Sequence, residues 1–443
     1  MGQKRELGED RISKLPTDIC AAILSRLTLQ EAGRTSVLSR NWRNLWGLHT
    51  TRLNFGFVRL NFDSVVKGVI NQPFYRQVDI VISKYVSRVN QVLKLHQGAF
   101  VDEFIIRCHM EEATYSHYNY ITTLVLFAFR KGVKRFVLNL EGVLPMGEES
   151  WYAFPLLGIG HMERTARPAG FCCLVSLCLN RVNITGEVVE NFLANCPLLE
   201  QLQLKHSYHL KNLRVAGSSL KLKSLEINCC ELDVLEISAV NLVSLTYIGQ
   251  DIRMLLNNVP VLSDYCIGGH YSGSVIHRPR DHLSYLRQLE SLKLSLPPIY
   301  IVRRYIRFPE TFPELCYLKK LELELDKAPG DNLIYYTPLL MACPSLSKFK
   351  VQGIIARQDP KWFQHRCLKV VEVVGFQGDA DEFEFLSYLL VIAVSLEELI
   401  INSHSPLRFA LGLHQNSGIK QKVRECARQL ERELPPKVKL VLL

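Results

Sequence analysis

The sequence predicts an α/β chain in two unlike parts: a short all-helical N-terminal unit, followed by a long solenoid built on a row of parallel strands. Three observations carry this expectation. Apolar residues between Leu15 and Trp46 recur at helical spacing and are bracketed by helix-start signals. From Val101 onward one pattern keeps returning: an apolar residue, two variable ones, an apolar, one variable, an apolar. Finally, 443 residues, of which 48% are hydrophobic and 22% charged, are enough to bury more than one core.

The first helix is read from "LPTDICAAILSRL". Pro16 stands in its first turn, where a missing N–H costs nothing, and Asp18 lies near the positive end of the helix dipole. Ile19, Ile23 and Leu27 stack at i, i+4 and i+8, with Cys20 and Leu24 as a second apolar row beside them. The second helix opens at Thr28-Leu29-Gln30-Glu31, a capping box, and runs through "AGRTSVL". Ser39 then caps a third helix that should stop before Gly47, with Trp42, Leu45 and Trp46 on one face. So few residues cannot bury every apolar side chain they carry. Some of that area must rest on the following domain or on a partner.

The repeats follow. Clear copies begin at Leu174, Leu199, Leu210, Leu222, Leu232, Leu242, Leu289, Leu318, Leu346 and Leu396, and weaker ones at Val101, Val133, Leu262 and Leu368. Alternation within each copy marks a short strand with one buried face. Copies recurring at roughly 10 to 40 residues mark a solenoid of leucine-rich-repeat type, in which each unit covers its neighbour's apolar edge. One convex helix is legible in "EVVENFLANCP", with Val188, Val189, Phe192 and Leu193 on one face.

Several function classes find no support. The formal charge is +10, but the basic residues are dispersed; the densest clusters are Val302 to Arg307 and Ile276 to His282. Residues flanking the central apolar position of each strand should line the concave face, and they are of both signs: Lys205, Arg214, Lys293, Lys320, Lys348 and Lys350 against Glu226, Glu236, Asp264, Glu322, Glu324, Glu372 and Glu398. A nucleic-acid groove should be predominantly basic, so no nucleic acid is expected as partner. The 13 cysteines include no C-x-x-C, and Cys172-Cys173 and Cys229-Cys230 are poorly spaced for tetrahedral zinc. No metal and no cofactor are expected. Cys196-Pro197 and Cys343-Pro344 fall just before repeat strands, where a small apolar residue fits. The polar N-terminus has no secretory core, and the longest apolar runs are far short of the ~18 residues of a membrane span. A cytoplasmic or nuclear protein without membrane partner is expected. There is no phosphate-cradling glycine loop, nucleophile elbow or metal spacing, hence no catalytic residue is assigned.

The stretch "DRISKLPTDICAAILSRLTLQEAGRTSVLSRNWRNLW", Asp10 to Trp46, resembles the F-box of plant F-box proteins. The match rests on Leu15, Pro16, Ile19, Ile23, Leu24 and Leu27, then on Val37, Leu38, Ser39, Arg40, Trp42, Leu45 and Trp46. One departure is Gly33, where the family usually has a larger apolar residue; it should cost about 1 kcal/mol of helix stability relative to alanine. The resemblance implies docking to a Skp-type adaptor through Leu15, Pro16, Ile19, Ile23, Leu24, Leu27, Val37, Leu38, Trp42, Leu45 and Trp46, and through the adaptor to a cullin. A second stretch, Cys367 to Ser403, resembles the FBD region that closes many plant F-box repeat proteins: a "GFQG" turn, an acidic helix start at Asp379, Asp381 and Glu382, then a last strand. The family often has a proline before that strand. Ala393-Val394-Ser395 lacks it, so a longer helix is expected.

The expected organisation is therefore an F-box at 10–50, a linking segment at 51–100, leucine-rich repeats at 101–366, an FBD region at 367–403 and a C-terminal segment at 404–443. The expected function is that of a non-enzymatic substrate receptor of a Skp-cullin-F-box ubiquitin ligase, with an unidentified target protein held by the repeats. Lys320, Glu322, Glu324, Lys348 and Lys350 are the candidate target contacts, expected as neighbouring acidic and basic rows. The alternative is a non-ligase interaction scaffold with a degenerate F-box.

Overall fold

A computed structural model describes residues 12, 14–40, 42–56, 74–108, 115–140, 152–155, 172–217, 219–296, 312–325, 337–352, 363–404 and 417–443. The basic cluster Val302 to Arg307 lies outside them, as does part of the segment read as a link. Two compact units, Met1–Leu222 and Lys223–Leu443, make up the chain.

The first unit opens with the helical cluster. Helix α1 (Thr17–Leu24) has Pro16 as its N-cap, one position outside the expected place, and is shorter than its apolar pattern. In α2 (Leu29–Arg34) the Thr28–Glu31 capping box forms as expected, and a 3₁₀ turn at Thr35–Val37 continues it. Helix α3 (Trp42–His49) does not stop before Gly47 but runs two residues past it. The reason is packing. A Cβ at Gly47 would stand 2.5 Å from the backbone oxygen of Leu95, and the Gly47 carbonyl accepts from the N–H groups of Gln97 at 2.7 Å and Gly98 at 3.1 Å. This glycine is a site of close backbone approach, not a helix stop.

The strand row starts earlier than the repeat pattern indicated. Strand β1 (Arg52–Phe55) lies inside the expected link and pairs in parallel with β2 (Glu103–Arg107). Helix α4 (Phe74–Leu95) joins the two. After β2 come α5 (Tyr115–Arg130), β3 (Arg135–Asn139), β4 (Ser176–Asn180), α6 (Gly186–Asn195), β5 (Gln201–Lys205) and β6 (Asn212–Ala216). Strands β2 to β5 pair in parallel in sequence order. The expected convex helix is α6, and the four residues read onto its apolar face are the four it buries.

In the second unit the order is β7 (Ser224–Asn228), β8 (Val234–Ser238), β9 (Ser244–Gly249), β10 (Arg253–Leu256), β11 (Asp264–Gly269), α7 (His270–His277), α8 (Leu283–Leu286), β12 (Ser291–Leu296) and β13 (Lys320–Leu325). It continues with α9 (Thr337–Met341), β14 (Lys348–Gln352), β15 (Val370–Val374), α10 (Ala380–Ile392), β16 (Glu398–Asn402), α11 (Ser417–Glu433) and β17 (Lys439–Leu442). A parallel sheet runs β7-β9-β11-β12-β13-β14-β15-β16-β17. The copies at Leu210 and Leu232 do form strands, β6 and β8, but these stand outside the main row, and β8 pairs with β10 instead. Arg214 and Glu236 are therefore not on the face where the repeat register put them. The copy at Leu232 falls within the connection from β7 to β9, residues 229–243, and serves there as the return layer of that repeat rather than as a member of the row.

The FBD-like stretch folds as a turn, helix and strand. Gly375 and Gly378 carry φ of 75° and 79°, a region open to glycine at little cost. Glu382 turns back to close the start of α10: one carboxylate oxygen accepts from the N–H groups of Gln377 at 2.6 Å, Gly378 at 2.7 Å and Asp379 at 3.3 Å. Asp379 is the N-cap, and the side chain of Asp381 lies outside the described set. The helix is not extended by the missing proline. It ends at Ile392, where the chain turns so that Leu396 is buried ahead of β16; the Leu396 N–H bonds the Ala393 carbonyl at 3.0 Å.

Candidate functional site

Two surfaces carry the residues singled out in the sequence, one in each unit. In the N-terminal cluster the core is Cys20, Leu24, Ala32 and Trp42, with Leu15, Leu27, Leu45 and Trp46 half-buried against it. Trp42 is 2% exposed and its indole N–H donates to the Ile12 carbonyl at 3.2 Å. The two apolar rows of α1 thus separate: Cys20 and Leu24 face inward, while Ile19 (44% exposed) and Ile23 (38%) face out. Val37 at 87% and Leu38 at 46% are exposed on the turn after α2, and Pro16 is exposed at the start of α1. Leu24 and Trp42 build the surface; Ile19, Ile23, Val37 and Leu38 present it. Apolar area left in water on Ile19, Ile23, Val37 and Leu38 favours removal from it.

The second surface is the open face of the main sheet in unit 2. Strands β13 and β14 pair with Lys320 opposite Lys348, Glu322 opposite Lys350 and Glu324 opposite Gln352, which brings the five candidate contacts together. Lys293 and Glu372, read onto the same concave face from the repeat register, pair with them. Lys293 on β12 reaches Glu322 at 3.2 Å and Glu324 at 3.0 Å. Glu372 on β15 takes Lys350 at 3.2 Å and Lys348 at 3.6 Å, and Lys320 lies 3.9 Å from Glu322. The face is a cross-strand ladder of alternating sign, lysine, glutamate, lysine, glutamate, from β12 to β15. Burial by itself would lower the pKa of the Lys293 ammonium, but the hydrogen bond and charge of Glu324, then of Glu322, outweigh it and raise it. The signal that could have found this ladder is register: each repeat places the same offset on the open face, so charges at matching offsets in successive copies must meet.

The thiols are structural in their geometry. Cys196 and Cys343 are buried, and burial pushes each up to about 12. Every cysteine in the described residues is free. Among the described residues no group of histidine, cysteine, aspartate and glutamate could hold a metal ion, and no helix is long and apolar enough to cross a membrane.

A helical cluster with a presented apolar face, joined to parallel strands of repeating leucine register, defines an F-box protein of the leucine-rich-repeat class. Comparison with known proteins agrees: residues 12–51 match the F-box domain and residues 92–435 match the LRR domain described for At1g61320/AtMIF1. The chain belongs to the plant F-box/LRR-repeat family. Relatives include the F-box/FBD/LRR-repeat protein At1g13570 of Arabidopsis thaliana, 26% identical over 424 residues that span 89% of this chain and 91% of the relative. The F-box/FBD/LRR-repeat protein At5g53840 of the same plant is 24% identical over 90% of this chain and 89% of its own length. The putative F-box/FBD/LRR-repeat protein At4g13965, also from Arabidopsis thaliana, is 28% identical over 77% and 74%.

Proposed function

We propose that this chain is the substrate-recognition subunit of a Skp-cullin-F-box ubiquitin ligase: the F-box docks a Skp-type adaptor, which brings a cullin, and the repeats hold a target protein. The observation that carries the reading is the separation of apolar rows in the helical cluster. Trp42, Leu24 and Cys20 are consumed by the core, yet Ile19, Ile23, Val37 and Leu38 are left in water on a domain too small to tolerate much apolar surface. In this role the chain supplies proximity and no reacting group; holding a target near a ubiquitin-charged enzyme raises effective concentration, which needs shape and rigidity rather than a nucleophile.

The direct adaptor contacts are Pro16, Ile19, Ile23, Val37 and Leu38, with Leu15, Leu27, Leu45 and Trp46 at the margin and Leu24 and Trp42 acting from beneath. Target docking on Lys320, Glu322, Glu324, Lys348 and Lys350 must compete with the ion pairs those residues already make, so it favours a partner that brings matched charges of both signs. The test is co-purification of the full chain with a Skp-type adaptor and a cullin. Ile19→Ser with Ile23→Ser should abolish adaptor capture while the protein stays folded. If a chain beginning at Val101 captured the adaptor equally well, the reading would be wrong and the non-ligase scaffold would replace it.

A further inference from the structure

We infer that the outer face of helix α11 is a docking site for an acidic protein segment, read by an arginine stripe. Arg424, Arg428 and Arg432 recur at i, i+4 and i+8 and are all exposed, and Lys420 continues the spacing in the sequence. The opposite face of the helix is fixed: Val423, Ala427 and Leu430 are buried, and Glu433 accepts from the Ser387 hydroxyl of α10 at 3.3 Å. The three guanidinium groups therefore stand in one row on a helix that cannot roll away.

Their lack of partners sets them apart. On the open face of the same unit Lys293, Lys320, Lys348 and Lys350 all face a glutamate. On α11 itself Lys422 lies 3.8 Å from Asp379. Among the described residues, the side chains of Arg424, Arg428 and Arg432 make no ion pair and no hydrogen bond, although Glu425 and Glu431 stand three residues either side of Arg428. Like charges at this spacing repel and weaken the helix that carries them. A partner presenting carboxylates at matching intervals removes that repulsion and gains a two-pronged contact at each arginine.

The chemistry of the surroundings selects the class of partner. A nucleic acid would run its phosphates past Glu425 and Glu431, which flank the stripe on the same helix. A membrane needs apolar side chains to insert, and Val423, Ala427 and Leu430 of α11 are buried. Discrete carboxylates on a protein segment can meet three arginines and avoid the interleaved glutamates. The stripe belongs to the second unit and the F-box cluster to the first.

The test uses the full chain and a fluorescein-labelled alanine-based helical peptide with glutamates at i, i+4 and i+8, followed by anisotropy at low ionic strength. The peptide should bind, and the triple variant Arg424→Gln, Arg428→Gln, Arg432→Gln should weaken it by about tenfold or more, with melting and adaptor capture unchanged. The variant Lys320→Gln, Lys348→Gln, Lys350→Gln should bind the peptide like wild type. Failure of the peptide to bind, equal affinity in the arginine variant, or equal loss in the lysine variant would overturn the proposal. So would tighter binding, through the same arginines, of an oligouridylate or of phosphatidylserine vesicles.

Discussion

Gly47 and Gly33 both sit in helices of the F-box cluster, and alanine should act on them with opposite sign. In a helix interior alanine is favoured over glycine by about 1 kcal/mol. At Gly33 nothing lies within 4 Å of a new Cβ, so Gly33→Ala should stabilise by up to about 1 kcal/mol. At Gly47 the new methyl would meet the Leu95 carbonyl oxygen at 2.5 Å and its carbon at 3.5 Å. Backbone has to move. The movement strains the two hydrogen bonds that Gln97 and Gly98 give to the Gly47 carbonyl, each contributing about 0.5–1.5 kcal/mol, and adds an overpacking cost of about 1–3 kcal/mol. With the two bonds strained rather than broken, so that only part of their contribution is lost, a net loss of about 1–3 kcal/mol remains against the helix gain. The local readout is amide hydrogen exchange at the two donors. Exchange at Gln97 and Gly98 should accelerate by about five- to 150-fold in Gly47→Ala, at tenfold per 1.4 kcal/mol, and stay unchanged in Gly33→Ala. Unchanged or slower exchange in Gly47→Ala would refute the close-approach reasoning and leave Gly47 as an ordinary, replaceable helix glycine.

Trp42→Ala should unfold the F-box, losing about 3–5 kcal/mol of core packing, whereas Ile19→Ser should leave its circular dichroism intact and remove adaptor binding; equal effects on folding would contradict the assignment of core and surface. Glu382→Gln should destabilise the FBD-like turn by about 1–3 kcal/mol, because an amide oxygen is a weaker acceptor for three N–H groups than a carboxylate; limited proteolysis near Gly378 reads it. Burial holds the pKa of His96 and His365 below the ordinary value of 6.5 in the folded chain. The unfolded chain therefore binds more protons below that value, and the stability these residues contribute is present above it and lost as pH falls. The urea midpoint should drop between about pH 7.5 and 5.5, and His365→Gln should flatten part of that drop, since His365 must be neutral to accept from the Leu368 N–H while donating to the Cys343 carbonyl. Lys348→Glu with Lys350→Glu should lower the stability of the second unit, because both new carboxylates would face Glu372; the milder Lys→Gln pair should not, and target capture by that pair tests docking on this face.

The sequence by itself determined what is periodic. The capping box at Thr28, the buried face of α6 and most of the parallel strands follow from spacing alone, because each rests on local geometry that repeats every turn or every second residue. Only tertiary structure decided which of two equivalent options was taken. Ile19 and Cys20 are neighbours in similar apolar rows, and which row faces water depends on where Trp42 packs. Gly47 looked like a terminus because its reason for being glycine is the Leu95 carbonyl, far along the chain. The copies at Leu210 and Leu232 carry the same pattern as their neighbours, yet the row has no place for them, and that competition is invisible to any single copy. Pattern fixes which side chains an element can bury; the partner that buries them, and hence the face left for function, is set by contacts between residues distant in sequence.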